Sequence, residues 1–273
     1  MKKTKNFKTA PLPFMGQKRN FLNDFTKALE NYPENAVFVD LFGGSGLLSH
    51  TVKQHYPNAR VIYNDYDNFT GRLDNLPKTN VLLADLRVIL DLYPRNKKID
   101  DPQRAAVLER IKKEADAGFV DWITLSSSVL FSGKYHLNYA EFEKATLYNC
   151  VRLNDYAADG YLDGVERVSD DYKRIFQQFK DNESVVFLVD PPYLSTESKP
   201  YKGYWKLADY LDVLKVLDGT RFFYFTSNKS SIIELCEWIE TSTVGNPFKE
   251  ANRMCVTNAV NYTSTYTDIM VFK

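Results

Sequence analysis

Five consecutive apolar positions, Val185-Val186-Phe187-Leu188-Val189, end abruptly in Asp190-Pro191-Pro192-Tyr193. A run with no polar alternation predicts a strand covered on both faces, as in a parallel sheet. Shorter apolar runs at residues 36–41, 60–64 and 221–226 predict further strands, and residues 266–272 alternate as a strand should. Helical spacing predicts a helix near 18–31 and another opening after Gly46. Strand, helix and strand at this spacing predict a parallel α/β unit within the first 85 residues. Between about 87 and 165 the pattern turns helical. Asp101-Pro102 followed by QRAAVLERIKKEADAG reads as a helix with Asp101 at its N-cap, Pro102 at its first position and Gly118 at its stop. A polar and aromatic segment, SSSVLFSGKYHLNY, follows. The expectation is an α/β domain made of residues 1–86 and 166–273, interrupted by a helical insertion at 87–165.

Composition narrows the class only a little. The chain has 273 residues, 44% hydrophobic and 26% charged, enough for one large domain or a core domain with a smaller one. Lys+Arg and Asp+Glu balance at 35 each, so net charge favours no partner. The distribution is less even: Lys2, Lys3, Lys5, Lys8, Lys18 and Arg19 open the chain with no acid among them. The bland reading of Lys2 to Lys8 is a solvated tail. Three distant cysteines point to a reducing compartment and away from a disulfide framework. The three histidines lack ligand spacing with them, so no zinc or other metal is expected. The basic N-terminus has no apolar h-region after it, and no 18-residue apolar span occurs. These features predict a cytoplasmic protein with no membrane partner.

Two motifs carry candidate chemistry. FVDLFGGSGLLS follows the first predicted strand, with Gly43, Gly44 and Gly46 allowing a ligand close to the backbone at a helix start. Asp65, 19 residues after Gly46, ends the next strand, where an acid commonly holds a ribose. Such a turn is often merely structural, and a dinucleotide is the obvious competing ligand. Against a dinucleotide, Ser49 replaces the third glycine, and Asp40 puts negative charge where a pyrophosphate would lie. A nucleoside bearing a sulfonium and an amino group suits Asp40 better. The second motif is the strand end at 190–193. Pro191 and Pro192 fix φ and donate no backbone hydrogen bond, so the ladder must stop there. The corner offers acceptors, the Asp190 carboxylate and the Pro191 carbonyl, beside the flat ring of Tyr193. It suits a planar base carrying an amino group with two hydrogens to donate; the alternative is a strand-ending turn with a packed tyrosine.

The DPPY at 190–193, the FGGSG at 42–46, the ND at 64–65 and the PFMGQK at 13–18 stand in the order of one family. On these motifs the sequence resembles the Dam-like (D12 class) DNA adenine N6-methyltransferases, from about residue 11 to residue 272 and least across 87–165. The resemblance implies a Rossmann-like S-adenosylmethionine-dependent methyltransferase sheet with a mainly helical inserted DNA-recognition domain. It implies methyl transfer from S-adenosylmethionine to the N6 amino group of a flipped-out adenine in double-stranded DNA. For the cofactor it implies Phe14, Gly16 and Lys18 of the N-terminal motif, Asp40 at the strand end, and Phe42, Gly43, Gly44 and Gly46 of the loop. Asp65 would take the ribose, Asp171 would lie near the cofactor adenine, and Asp190 would touch both substrates. Asp190, Pro191, Pro192 and Tyr193 would be the catalytic set.

The resemblance suits the chemistry. The adenine amino lone pair is delocalised into the ring; two acceptors on its hydrogens draw the nitrogen toward tetrahedral geometry, and a fixed carboxylate stabilises the positive charge that develops there. Orientation of the reactants supplies about 7–11 kcal/mol more. Flipping the base costs a few kcal/mol, of which stacking on Tyr193 returns about 1–3 kcal/mol. Downstream, Lys199, Lys202 and Lys206 alternate with Tyr201, Tyr204 and Trp205, a pattern suited to phosphates and displaced bases. The alternative is a solvated loop with core-facing rings. Lys134 of the insertion is a further candidate DNA contact. Rival functions are N4-cytosine methylation of DNA, adenine methylation of RNA, and a DNA-binding protein that has lost catalysis; a dinucleotide oxidoreductase is more distant.

Overall fold

The computed structural model describes residues 6–131, 135–192, 205, 207–228, 230–240, 247–261 and 264–273. The chain divides into two compact units, one of Met1–Thr9, Gly16–Phe69 and Gly160–Lys273, the other of Ala10–Met15 and Thr70–Asp159.

The first unit is built on a sheet that contains, among the described residues, seven strands. They are β1 (Val37–Asp40), β2 (Arg60–Asn64), β3 (Glu166–Val168), β4 (Val185–Val189), β5 (Arg221–Ser227), β6 (Asn252–Asn261) and β7 (Ser264–Phe272), in the order β3-β2-β1-β4-β5-β7-β6. Strands β3 to β5 in that order are mutually parallel, whereas β7 enters antiparallel to β5 and β6 closes the edge antiparallel to β7. From β1 the chain winds toward β3, then resumes at β4 and winds the other way. The switch of direction lies between β1 and β4, where open α/β sheets bind ligands beyond the carboxyl ends of the strands.

Both faces of the sheet are covered, which is why its strands read as unbroken apolar runs. Phe38, Val61, Val186, Leu188, Phe223 and Phe225 point to one face, with α1 (Leu22–Leu29) and α2 (Leu47–His55). Leu22, Phe25, Ala28 and Leu29 form the buried stripe of α1 at helical spacing. Phe25 meets Phe223 edge-on at 4.8 Å between centroids.

Helices α3 (Phe69–Asp74), α4 (Leu76–Ile89), α5 (Gln103–Asp116), α6 (Trp122–Val129) and α7 (Tyr139–Lys144) follow. The second unit has its own core, in which Leu82, Leu83 and Leu86 of α4 pack with Val107, Leu108 and Ile111 of α5 and Leu125 of α6. Its buried ion pair joins Arg72 Nε to Asp121 Oδ1 at 3.0 Å, and Asp121 also caps α6 by accepting the Thr124 N–H. The start of α5 differs from expectation by one residue. Pro102 occupies the N-cap position and Asp101 caps nothing, because the Pro102 carbonyl already accepts the Ala106 N–H at 3.2 Å. Gly118, with φ +123°, follows its end as expected.

Three further helices, α8 (Tyr172–Phe179), α9 (Leu207–Leu217) and α10 (Ile232–Glu240), accompany the opposite face of the sheet with Val39, Ile62, Phe187, Val189 and Tyr224. The alternation expected at 266–272 does not persist. Ile269, Met270, Val271 and Phe272 are all buried, because β7 lies inside the sheet, between β5 and β6, with a core on each side. No helix of the described residues is long and apolar enough to cross a membrane.

Candidate active site

The carboxyl ends of β1 and β4 lie side by side, since Asp40 is in register with Leu188. After β1 the chain enters the glycine turn. Gly44 and Gly46 hold φ of +50° and +73°, and Gly46 is the N-cap of α2 with no side-chain cap. Gly43 is fixed by space: a Cβ there would lie 2.2 Å from the Tyr63 ring and 2.8 Å from the Asn64 carbonyl. The turn therefore lies directly against the end of β2. The Tyr63 hydroxyl sits 2.7 Å from the Gly44 carbonyl and 3.0 Å from Asp65 Oδ1. On the other side the buried Tyr161 hydroxyl donates to the Ser45 carbonyl at 2.8 Å. The Tyr161 ring packs on His50, whose Nε2 accepts the Phe7 N–H at 3.2 Å. Burial holds the His50 pKa down, to about 4, which keeps that nitrogen an acceptor.

Three acids sit around this turn. Asp40 is 1% exposed; its Oδ2 accepts the Ser49 hydroxyl at 2.7 Å, and its Oδ1 is buried with no hydrogen-bond partner. Burial pushes its pKa up to about 7, against the stabilising bond from Ser49. Asp65 is also buried. It accepts the Phe69 N–H at 2.6 Å and pairs with Arg167 Nε at 3.0 Å. Asp190 follows β4, ahead of buried Pro191 and half-buried Pro192. Lys18 Nζ lies 2.6 Å from Asp190 Oδ2 and 2.8 Å from the Gly16 carbonyl, to which it donates. Burial pushes the Asp190 pKa up to about 6; Lys18 opposes the rise and Asp268 adds to it.

Beside the turn stands an aromatic group. Phe42 meets Tyr172 at 4.8 Å and Trp205 at 5.7 Å between centroids, and Trp205 stacks on Tyr172 at 6.0 Å. The Trp205 ring thus packs against the core, at the carboxyl end of the segment in which a DNA-facing role was expected.

The structure gathers Gly16, Lys18, Asp40, Phe42, Gly43, Gly44, Gly46, Asp65 and Asp190 in the first unit, whereas Phe14 is half-buried in the second. Asp171 is exposed and caps α8 by accepting the Lys173 N–H at 2.8 Å. Lys134, Tyr193, Lys199, Tyr201, Lys202, Tyr204 and Lys206 lie outside the described residues. Sequence reasoning passed over Tyr63 and took Asn64 only as part of the ND motif at 64–65, without a role of its own. The Asn64 side-chain amide bonds to the carbonyls of Leu41 and Asp170, joining the glycine turn to the start of α8. It also passed over Tyr161, Arg167 and Asp268, which reach the site from distant stretches with no local signal. Among the described residues no group of three or more His, Cys, Asp or Glu is disposed to hold a metal ion.

A parallel sheet that reverses direction between β1 and β4, with a glycine turn after one and an acid-proline-proline corner after the other, defines a Rossmann-like methyltransferase. The chain belongs to the D12 class N6 adenine-specific DNA methyltransferases, whose pattern it matches over residues 14–115. It is similar to a protein of Haemophilus influenzae named "Putative methyltransferase", with 34% identity over 283 residues, covering 100% of this chain and 95% of that one. The family is of the kind that uses S-adenosylmethionine.

Proposed function

We propose that the protein methylates the N6 amino group of a flipped-out adenine in double-stranded DNA, with S-adenosylmethionine as donor. The observation that carries this reading is the corner at Asp190, a largely buried carboxylate next to two residues that donate no backbone hydrogen bond, beside a second buried acid. The residues present fit the cofactor. Asp40 Oδ1 is a buried acceptor with no protein partner, as an amine-bearing ligand requires. The glycine turn is held from both sides, and its α2 end lacks a side-chain cap. Asp65 would take the ribose hydroxyls in exchange for Arg167, the half-exposed member of its set of donors. Bound there, S-adenosylmethionine supplies an electrophilic methyl group on a sulfonium centre.

The chain's own residues do the rest. Asp190 and the Pro191 carbonyl accept the two amino hydrogens of adenine, aligning the nitrogen lone pair. The Asp190 charge stabilises the cation that develops as the nitrogen–methyl bond forms and the methyl–sulfur bond breaks, and the surplus amino proton leaves to solvent. Tyr193 stacks on the flipped base. Trp205 anchors the end of the segment that carries Lys199, Tyr201, Lys202, Tyr204 and Lys206, and those residues hold the DNA. The helical stretch at 87–165, with Lys134, reads the target.

The test is modification-aware sequencing of DNA from cells expressing the protein, alongside a strain expressing Asp190→Ala. New N6-methyladenine at a defined sequence in the first and none in the second is expected. Methylation that persists in the folded Asp190→Ala protein removes Asp190 from the mechanism, and N4-methylcytosine in place of N6-methyladenine replaces the substrate. In vitro, Tyr193→Ala should lose more activity than Tyr193→Phe, since stacking needs the ring alone.

A further inference from the structure

The family resemblance assigns Lys18 to the cofactor, but its ammonium lies on the catalytic corner. The side chain is 5% exposed, and Nζ is shared between Asp190 Oδ2 at 2.6 Å and the Gly16 carbonyl at 2.8 Å. A buried ammonium persists only where its partners replace the lost water, so this contact fixes the carboxylate as firmly as the lysine. Other ionisable groups that act on Asp190, or that it acts on, come from three other strands of the sheet. Asp40 ends β1, Tyr224 lies on β5 and Asp268 lies on β7. Burial and Asp268 favour a neutral Asp190, the Asp190 charge helps to hold Asp40 protonated, and burial keeps the Tyr224 hydroxyl protonated. Lys18 is the cation that opposes burial and Asp268. A neutral Asp190 would lack the charge that the developing cation on the amino nitrogen needs.

We propose that Lys18 is a positioning residue for catalysis: its ammonium occupies Asp190 Oδ2 and keeps the carboxylate ionised at neutral pH, leaving Oδ1 to accept an amino hydrogen of the target base. The Gly16 carbonyl fixes the other side of the ammonium, so the stretch from Gly16 to Lys18 acts on the catalytic carboxylate. The proposal rests on the methyl-transfer reading for its consequence and on the ion pair alone for its physical content.

Its first test therefore needs neither cofactor nor DNA. Carbon NMR of the side-chain carboxyls, with the Asp190 signal identified by its loss in Asp190→Asn, gives the titration midpoint in the free protein. Removing an opposite charge at this distance raises a carboxyl pKa by about 1–3 units. Lys18→Met should move the Asp190 midpoint upward by that amount from about 6, Lys18→Arg should leave it in place, and Asp268→Asn should move it down. In turnover, the acid limb of kcat should follow the same shifts: Lys18→Met loses about two- to a hundredfold at pH 7 as the midpoint rises by about 1–3 units, regains activity toward pH 9 and changes S-adenosylmethionine affinity by less than about threefold. An unmoved midpoint in Lys18→Met overturns the proposal, and so does a loss that lies in cofactor affinity and persists at high pH. Should Lys18→Met fail to fold, the Lys18→Arg and Asp268→Asn midpoints decide it: a midpoint displaced by arginine, or unmoved by Asp268→Asn, counts against it. A wild-type protein that methylates no DNA overturns the methyl-transfer reading and leaves the NMR result to decide the role of Lys18.

Discussion

At the scale of single residues, the site keeps acids where water does not reach them. Asp40 shows the cost. Its carboxyl titrates near 7 in the folded protein, against an ordinary value of about 3.9. Between those two values the folded state holds a proton that the unfolded chain has released, so its contribution to stability falls as pH rises from about 4 to about 7. Asp40→Asn removes that titration. The variant should gain on the wild type across that window, by on the order of 3 kcal/mol at pH 8 relative to pH 4. Denaturant titrations of both proteins at four or five pH values read it directly; a difference that stays flat with pH would show that Asp40 is not held neutral. The absolute difference also contains the bond from Ser49, so the slope is the measure. Sequence alone marked Asp40, Asp65 and Asp190 as strand-end acids. It could not show that Oδ1 of Asp40 lacks a partner, because that follows from what the turn, α2 and β4 leave beside it.

At the scale of elements, the carboxylate of Asp65 ties three of them together. It holds the Phe69 N–H at the start of α3, lies against the Tyr63 hydroxyl of β2 and pairs with Arg167 of β3. Loss of the carboxylate should then be felt twice. Asp65→Ala is expected to lower the melting temperature and to weaken S-adenosylmethionine binding by about 1.5–3 kcal/mol, roughly ten- to a hundredfold. Arg167→Ala should leave cofactor affinity equal or tighter, since on the proposed reading its guanidinium would compete with the ribose for Asp65. Calorimetry on the three proteins separates these outcomes, and a weaker Arg167→Ala would mean that the arginine serves the ligand rather than competing with it. The strands that carry these residues were legible as apolar runs because both faces of the sheet are covered. The three-residue β3 was not, for it is too short to show a pattern, and Arg167 and Glu166 in it are exposed. Strand β7 looked like an alternating, half-exposed strand, yet its end is buried on both faces by its place between β5 and β6.

At the scale of the whole molecule, a balanced charge of 35 cations and 35 acids has to be reconciled with a duplex that is uniformly negative. Phosphate binding depends on local cations that release counterions, and each one lost lowers the salt dependence by about one unit of slope. Lys18 is engaged with Asp190, so on the proposed reading the lysines downstream of Asp190 would carry that dependence. Lys202→Ala should weaken binding to every sequence alike and flatten the slope by about one. Lys134→Ala should instead change which sequences are methylated. Fluorescence anisotropy over a range of salt, with sequencing of the methylated sites, distinguishes the two. An unchanged slope in Lys202→Ala, or altered site preference there and not in Lys134→Ala, would reassign both lysines.

The sequence by itself determined that the central strands lie in a parallel sheet, that a glycine turn follows the first and that an acid with two prolines stops the fourth. Those are local facts, written in apolar runs, in glycines at positive φ and in prolines that cannot donate. Tertiary structure decided what the acids meet. Lys18 and Asp190 are 172 residues apart in sequence and 2.6 Å apart in space. Their partnership arises because the segment before α1 returns to the carboxyl end of the sheet, beside the end of β4. An ion pair depends on distance in three dimensions, and no local pattern of apolar and polar positions encodes that distance.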